Sequence, residues 1–116
     1  MKLLMHVLRE NKKLGIDNKT IGALNILTKL DEEYKEVVTA VIDYKHDSTL
    51  TNLKEVIRET FDLIQICILI LWRSHKDAKE VFDYQDLIKD VNIEHKDKLM
   101  SREWIIETGI EIDVKE

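Results

Sequence analysis

No proline interrupts this chain, and glycine occurs only at Gly15, Gly22 and Gly109. Proline breaks helices because it lacks an N–H and clashes with the preceding turn, so a proline-free chain runs long helices unhindered. So few glycines leave little material for the tight turns of an all-β fold. They also exclude the glycine-rich phosphate loops of P-loop and Rossmann enzymes. The expectation is an all-α chain.

The 116 residues fit one domain, residues 1–116, with 44% hydrophobic and 35% charged residues, a mix that folds rather than staying disordered. The net charge of −5 and pI near 5.4 disfavour nucleic acid and anionic membranes as partners. The one cysteine, Cys67, rules out an intramolecular disulfide and cysteine-rich zinc sites, and its apolar neighbours predict a buried thiol. The longest apolar run, Leu63 to Trp72, is about half the length needed to span a bilayer. The start shows no convincing signal peptide, and the expectation is a cytoplasmic protein without membrane contact.

Apolar spacing predicts four helices in an antiparallel bundle. A short first helix covers Leu3 to Leu14 and breaks at Gly15 to Asn18. The second runs from about Lys19 to Tyr44, with Asp17, Asn18 and Thr20 as competing N-caps. Its stripe is Leu24, Leu27, Leu30, Tyr34, Val37, Val41 and Tyr44, three or four apart. After a polar turn at His46 to Thr51, where Ser48, Thr49 and Thr51 compete for the cap, a third helix runs from about Leu53 to Ser74. This helix turns apolar on every side from Ile66 to Trp72, which predicts a homo-oligomer, dimer or tetramer, that covers it. His75 to Glu80 reads as a charged linker, and Val81 to Met100 as the fourth helix. Ile106, Thr108, Ile110, Ile112 and Val114 then alternate, predicting a short extended C-terminal tail. The four histidines, His6, His46, His75 and His95, are scattered without zinc-site spacing and read as surface or linker residues.

The chemistry concentrates on the two central helices. Glu33 and Glu36 stand at i and i+3 on one, Glu59 and Asp62 at i and i+3 on the next, so each pair shares a helical face. Glu33 lies between Leu30 and Val37 at the edge of the apolar stripe; Glu59 follows Val56, and Asp62 precedes Ile66. Carboxylates aimed at a core are costly and repel one another. A divalent cation removes both penalties, and oxygen-only ligands suit Mg²⁺ or Mn²⁺. A solvated acidic face is the competing reading.

At these residues the chain resembles the MazG-like, all-α nucleoside triphosphate pyrophosphohydrolases. That family's Leu-x-Glu-Glu-x-x-Glu block is matched by Leu30-Asp31-Glu32-Glu33-Tyr34-Lys35-Glu36, and its Glu-x-x-Asp by Glu59-Thr60-Phe61-Asp62. Its third block, a lysine and an arginine near an aromatic, is matched by Lys98, Arg102 and Trp104. The likeness spans about Ile21 to Trp104 within a motif-bearing core of about 19–104. It implies that Glu33, Glu36, Glu59 and Asp62 bind Mg²⁺, with Glu32 supporting the ligands or orienting water beside Glu33. It also implies that Lys98 and Arg102 contact phosphates, and that the enzyme splits a nucleoside triphosphate into monophosphate and pyrophosphate. Trp104 either stacks on a base or packs, and Asn25, one turn before the acidic block, either reads a base edge or is solvated. Two alternatives remain: a phosphoribosyl-ATP pyrophosphohydrolase-like enzyme, and a non-enzymatic helical interaction or oligomerisation module.

Overall fold

The computed structural model describes residues 1–113. In chain order these form β1 (Glu10–Asn11), β2 (Ile16–Asp17), α1 (Ala23–His46), α2 (Leu50–Phe82) and α3 (Leu87–Ser101). The chain is predominantly helical, as predicted, but with three helices rather than four.

The predicted helix over Leu3 to Leu14 is replaced by a hairpin in which Glu10 pairs with Asp17 and Asn11 with Ile16. A helix that short is marginal without packing, and here the turn chemistry wins. Asn11 Oδ1 accepts the Leu14 N–H at 3.1 Å, and Gly15 takes a left-handed φ of +67° that other residues rarely adopt. The same kind of local bond delays α1. Asp17 Oδ1 accepts the Lys19 N–H at 2.9 Å, and the Asp17 carbonyl accepts from Thr20 and Ile21, so this turn outcompetes helix until Ala23. None of Asp17, Asn18 and Thr20 caps α1; Gly22 occupies that position in extended backbone.

Thr49 wins the competition to cap α2, its Oγ1 accepting the Asn52 N–H at 3.1 Å. α2 then runs for 33 residues, straight through the predicted linker. His75 to Glu80 is charged but contains no helix breaker, so nothing in it stops the helix. The stop comes at Asp83, which turns left-handed at φ 51°, with the Tyr84 N–H bonded back to the Ala78 carbonyl at 2.8 Å. Val81 and Phe82 therefore end α2, and α3 begins at Leu87, where the Tyr84 hydroxyl bonds the Asp90 carboxylate and has its pKa raised by that bond.

α1 and α2 form an antiparallel pair. Near the connecting turn, Asn52 Nδ2 donates to the Asp43 carbonyl at 3.5 Å and the Asp47 carbonyl at 2.9 Å. At the far end, the Arg73 guanidinium donates to the carbonyls of Ile21 at 2.9 Å and Asn18 at 3.2 Å, which ties the entry of α1 to α2. Gln65 similarly holds the His6 carbonyl at 2.7 Å.

Little apolar surface is enclosed. Ala40, Leu69 and Ala78 are the buried hydrophobic residues among those described. The radius of gyration is 16.9 Å, where a compact domain of this length has about 13 Å. The accessible surface is 10198 Å², where a folded monomer of this mass exposes about 6,600 Å². Cys67 is exposed, contrary to the burial its neighbours predict, because the apolar run of α2 is covered on one side only: Leu69 is buried, Leu71 is not. The segment after α3 carries neither helix nor strand through residue 113, and Ile105, Ile110 and Ile112 are exposed; Val114 of the predicted alternation lies outside the described residues. No described helix is long and apolar enough to cross a membrane.

Candidate metal centre

The register of the α1–α2 pair decides which carboxylates meet. Glu33 of α1 and Glu59 and Asp62 of α2 each offer an oxygen such that all three lie within 4.8 Å of one another. Their burial is graded: Glu33 is buried with 7% of its surface exposed, Glu59 is half-buried, and Asp62 is open to solvent. Burial thus deepens from Asp62, at the rim of the cluster, to Glu59 and Glu33 on its floor.

The floor is unsatisfied. Glu33 Oε2 and Glu59 Oε2 are buried and meet no hydrogen-bond donor. A buried polar atom without a partner costs about 1–3 kcal/mol, more when charged, and natural folds rarely keep two side by side. The physical strain registers on Glu33, whose pKa is raised above the usual carboxylate value, chiefly by burial and also by Glu36, against the opposing pull of Lys29. Glu36 is exposed and stands outside the three-oxygen cluster, but it adjoins it. Its pKa is raised first by hydrogen bonding with Glu59. Glu36 and Glu59 also line an open groove of about 280 Å³ with Lys35, Thr39, Ala40, Asp43 and Glu55.

Three carboxylates with oxygens at this spacing, two of them keeping a buried oxygen that lacks a donor, could hold a hard divalent cation. Mg²⁺, Mn²⁺ and Ca²⁺ take oxygen ligands at about 2.0–2.6 Å, and no sulfur or imidazole ligand is present to favour zinc.

The remaining predicted residues are not among the three whose oxygens converge. Glu32 is exposed next to Glu33. Asn25 is exposed on the first turn of α1. Lys98 is exposed in the last turn of α3, and Arg102 follows as its C-cap, with its N–H bonded to the Lys98 and Leu99 carbonyls. Trp104 is exposed beyond it. Neither Lys98 nor Arg102 forms an ion pair with the acidic residues among those described. The cation that does stand at the cluster is Lys29, which sequence reasoning passed over. Its ammonium lies 3.4 Å from Glu33 Oε1 and 3.7 Å from Glu32. The available signal was its spacing: Lys29 precedes Glu33 by four residues, one helical turn.

No protein-family model, characterised protein or solved structure matches this chain. The chemistry of the centre is therefore read from its own residues.

Proposed function

We propose that the chain is a Mg²⁺-dependent nucleoside triphosphate pyrophosphohydrolase of MazG-like type, with Mn²⁺ as an alternative cation, acting on nucleotides in the cytoplasm. The observation that carries this reading is the convergence of Glu33, Glu59 and Asp62, two of which, Glu33 and Glu59, each keep a buried oxygen without a donor. Glu33, Glu59 and Asp62 hold the cation, and Glu36 completes the set from the rim. A cation bound there neutralises phosphate charge and acidifies water. Glu32 and Glu33 orient the attacking water, and a carboxylate takes its proton. The water oxygen bonds to the α-phosphorus as the bond to the β-phosphate bridge breaks, leaving monophosphate and pyrophosphate. By resemblance, Lys98 and Arg102 contact the phosphates; Asn25 and Trp104 are the further substrate-binding candidates.

The excess of accessible surface over a compact monomer supports a homo-oligomer, because the difference of roughly 3,600 Å² is on the scale of obligate interfaces. The same exposure favours a second reading, a helical interaction module whose acids are merely solvated.

The test is a panel of triphosphates incubated with Mg²⁺ and assayed for products, alongside thermal melts with and without the metal. Monophosphate plus pyrophosphate, lost on chelation, is the expected result. Orthophosphate plus diphosphate means a different reaction. No turnover together with no Mg²⁺ effect on melting selects the interaction module.

A further inference from the structure

An acidic centre meets a difficulty when its ligand is itself anionic. Glu33, Glu59 and Asp62 converge, Glu36 adjoins Glu59, and Glu32 shares Lys29 with Glu33, so one divalent cation does not offset all the negative charge at the centre. A positive side chain is needed at the rim, and two lysines stand there.

They differ in how firmly they are held. Lys35 Nζ lies 2.7 Å from Asp31 Oδ2, a full charge-assisted hydrogen bond. Lys29 Nζ lies 3.4 Å from Glu33 Oε1 and 3.7 Å from Glu32 Oε2, both longer than such a bond, and its side chain is 55% exposed. Glu33 is the main influence that raises the Lys29 pKa, yet at these distances the exposed ammonium is the more loosely held of the two and keeps protons for another acceptor. The two oxygens of Glu33 also differ: Oε1 is the one that faces Lys29, while Oε2 is buried without a donor, and the carboxylate belongs to the cluster with Glu59 and Asp62. Glu33 would thus be shared between the ammonium and a cation held with Glu59 and Asp62. That arrangement suits a phosphate group, whose oxygens bridge two neighbouring positive centres.

We propose that Lys29 is the phosphate-contacting residue of the acidic centre: its ammonium takes an oxygen of a ligand phosphate whose other oxygens meet the cation held by Glu33, Glu59 and Asp62. This rests on the metal reading above. Charge on Glu33 drawn toward the cation weakens its hold on Lys29 and frees the lysine, whose other pairing, to exposed Glu32, is a weak surface contact. The metal thus arms the phosphate contact.

The experiment separates the two readings by measuring metal and anion in turn on the full chain. Mn²⁺ binding is followed by electron paramagnetic resonance for the native protein, K29A, K29R and K45A, the last removing a like charge at the far end of α1. Inorganic tripolyphosphate is then titrated into each Mn²⁺-saturated protein. The expected result is Mn²⁺ affinity in K29A equal to or tighter than native, tripolyphosphate affinity about tenfold or more weaker in K29A, partial or full retention in K29R, and no change in K45A. Native protein that fails to bind Mn²⁺ overturns the metal reading and this proposal with it. Mn²⁺ binding intact everywhere, with tripolyphosphate affinity the same in K29A as in the native protein or absent from both, overturns the proposal alone. A loss of Mn²⁺ affinity in K29A also overturns it, since Lys29 is then a strut for Glu33.

Discussion

The α1–α2 pair and the segment beyond Asp83 treat burial in opposite ways. In the pair, one of the few buried side chains is a carboxylate, Glu33, while nearby leucines and isoleucines stay exposed. Beyond Asp83 nothing described is buried; α3 has no buried residue, and Ile105 is 95% exposed. A fold guided by hydrophobic burial alone would do the reverse, covering isoleucine and leaving glutamate in water. The difference teaches that the seam between α1 and α2 is shaped around charge, and that the C-terminal third lacks the partner surface that would enclose it.

The largest effect that would break this comparison is chemical. Asp62→Asn keeps shape and removes one of the proposed cation ligands at an exposed position. The pyrophosphate-releasing rate should fall by roughly 10³-fold, the scale of several kcal/mol of metal-derived transition-state stabilisation, while the circular dichroism spectrum stays native. A rate within a factor of about two of native would remove Asp62 from the site.

A second pair of substitutions sets the two regions side by side. Leu69→Ala, in the buried part of α2, should lower unfolding free energy by about 2–4 kcal/mol in urea titrations. Ile93→Ala, half exposed on α3, should cost under about 0.5 kcal/mol. Equal losses would mean that α3 is covered in solution, which would sharpen the case for an assembly.

Next in size is a pH effect. The folded-state pKa values of Glu33 and Glu36 lie above the ordinary 4.5, so the folded chain binds more protons than the unfolded chain in the window just above that value. Their contribution is fully present below the unfolded value and is lost as pH rises through the folded one. Metal-free protein should therefore melt lower at neutral pH than at mildly acidic pH, with buried Glu33 contributing more than exposed Glu36. Glu33→Gln should flatten the slope, and excess Mg²⁺ should lift the melting temperature most at neutral pH. A slope unchanged by Glu33→Gln would place the titration elsewhere.

The smallest expected change is for truncation after Glu103. Loss of the exposed tail should move the melting temperature by about a degree or less. A larger drop would show that the tail contributes to packing in solution.

Much of the α1–α2 pair was legible because its signals are repetitive. The stripe from Leu24 to Tyr44 has a helical period, and antiparallel packing brings Glu33, at its edge, together with the Glu59 and Asp62 pair of α2. The burial of Glu33 could be read from its place between Leu30 and Val37. What was not legible depended on competition between near-equal local states. At Asp17 a side-chain bond outlasts the helix; at His75 to Glu80 charge was mistaken for a break although no residue there stops a helix. The exposure of Cys67 was hidden for another reason. A run that is apolar on every side does not say which side is covered.

That thiol has a practical consequence. It is the one cysteine of the chain, exposed, and five residues beyond Asp62 on the same helix, so about 7.5 Å along the axis from the nearest carboxylate of the cluster. A single maleimide dye can thus be attached without engineering, close enough to be quenched by paramagnetic Mn²⁺ and to report occupancy of the centre in real time.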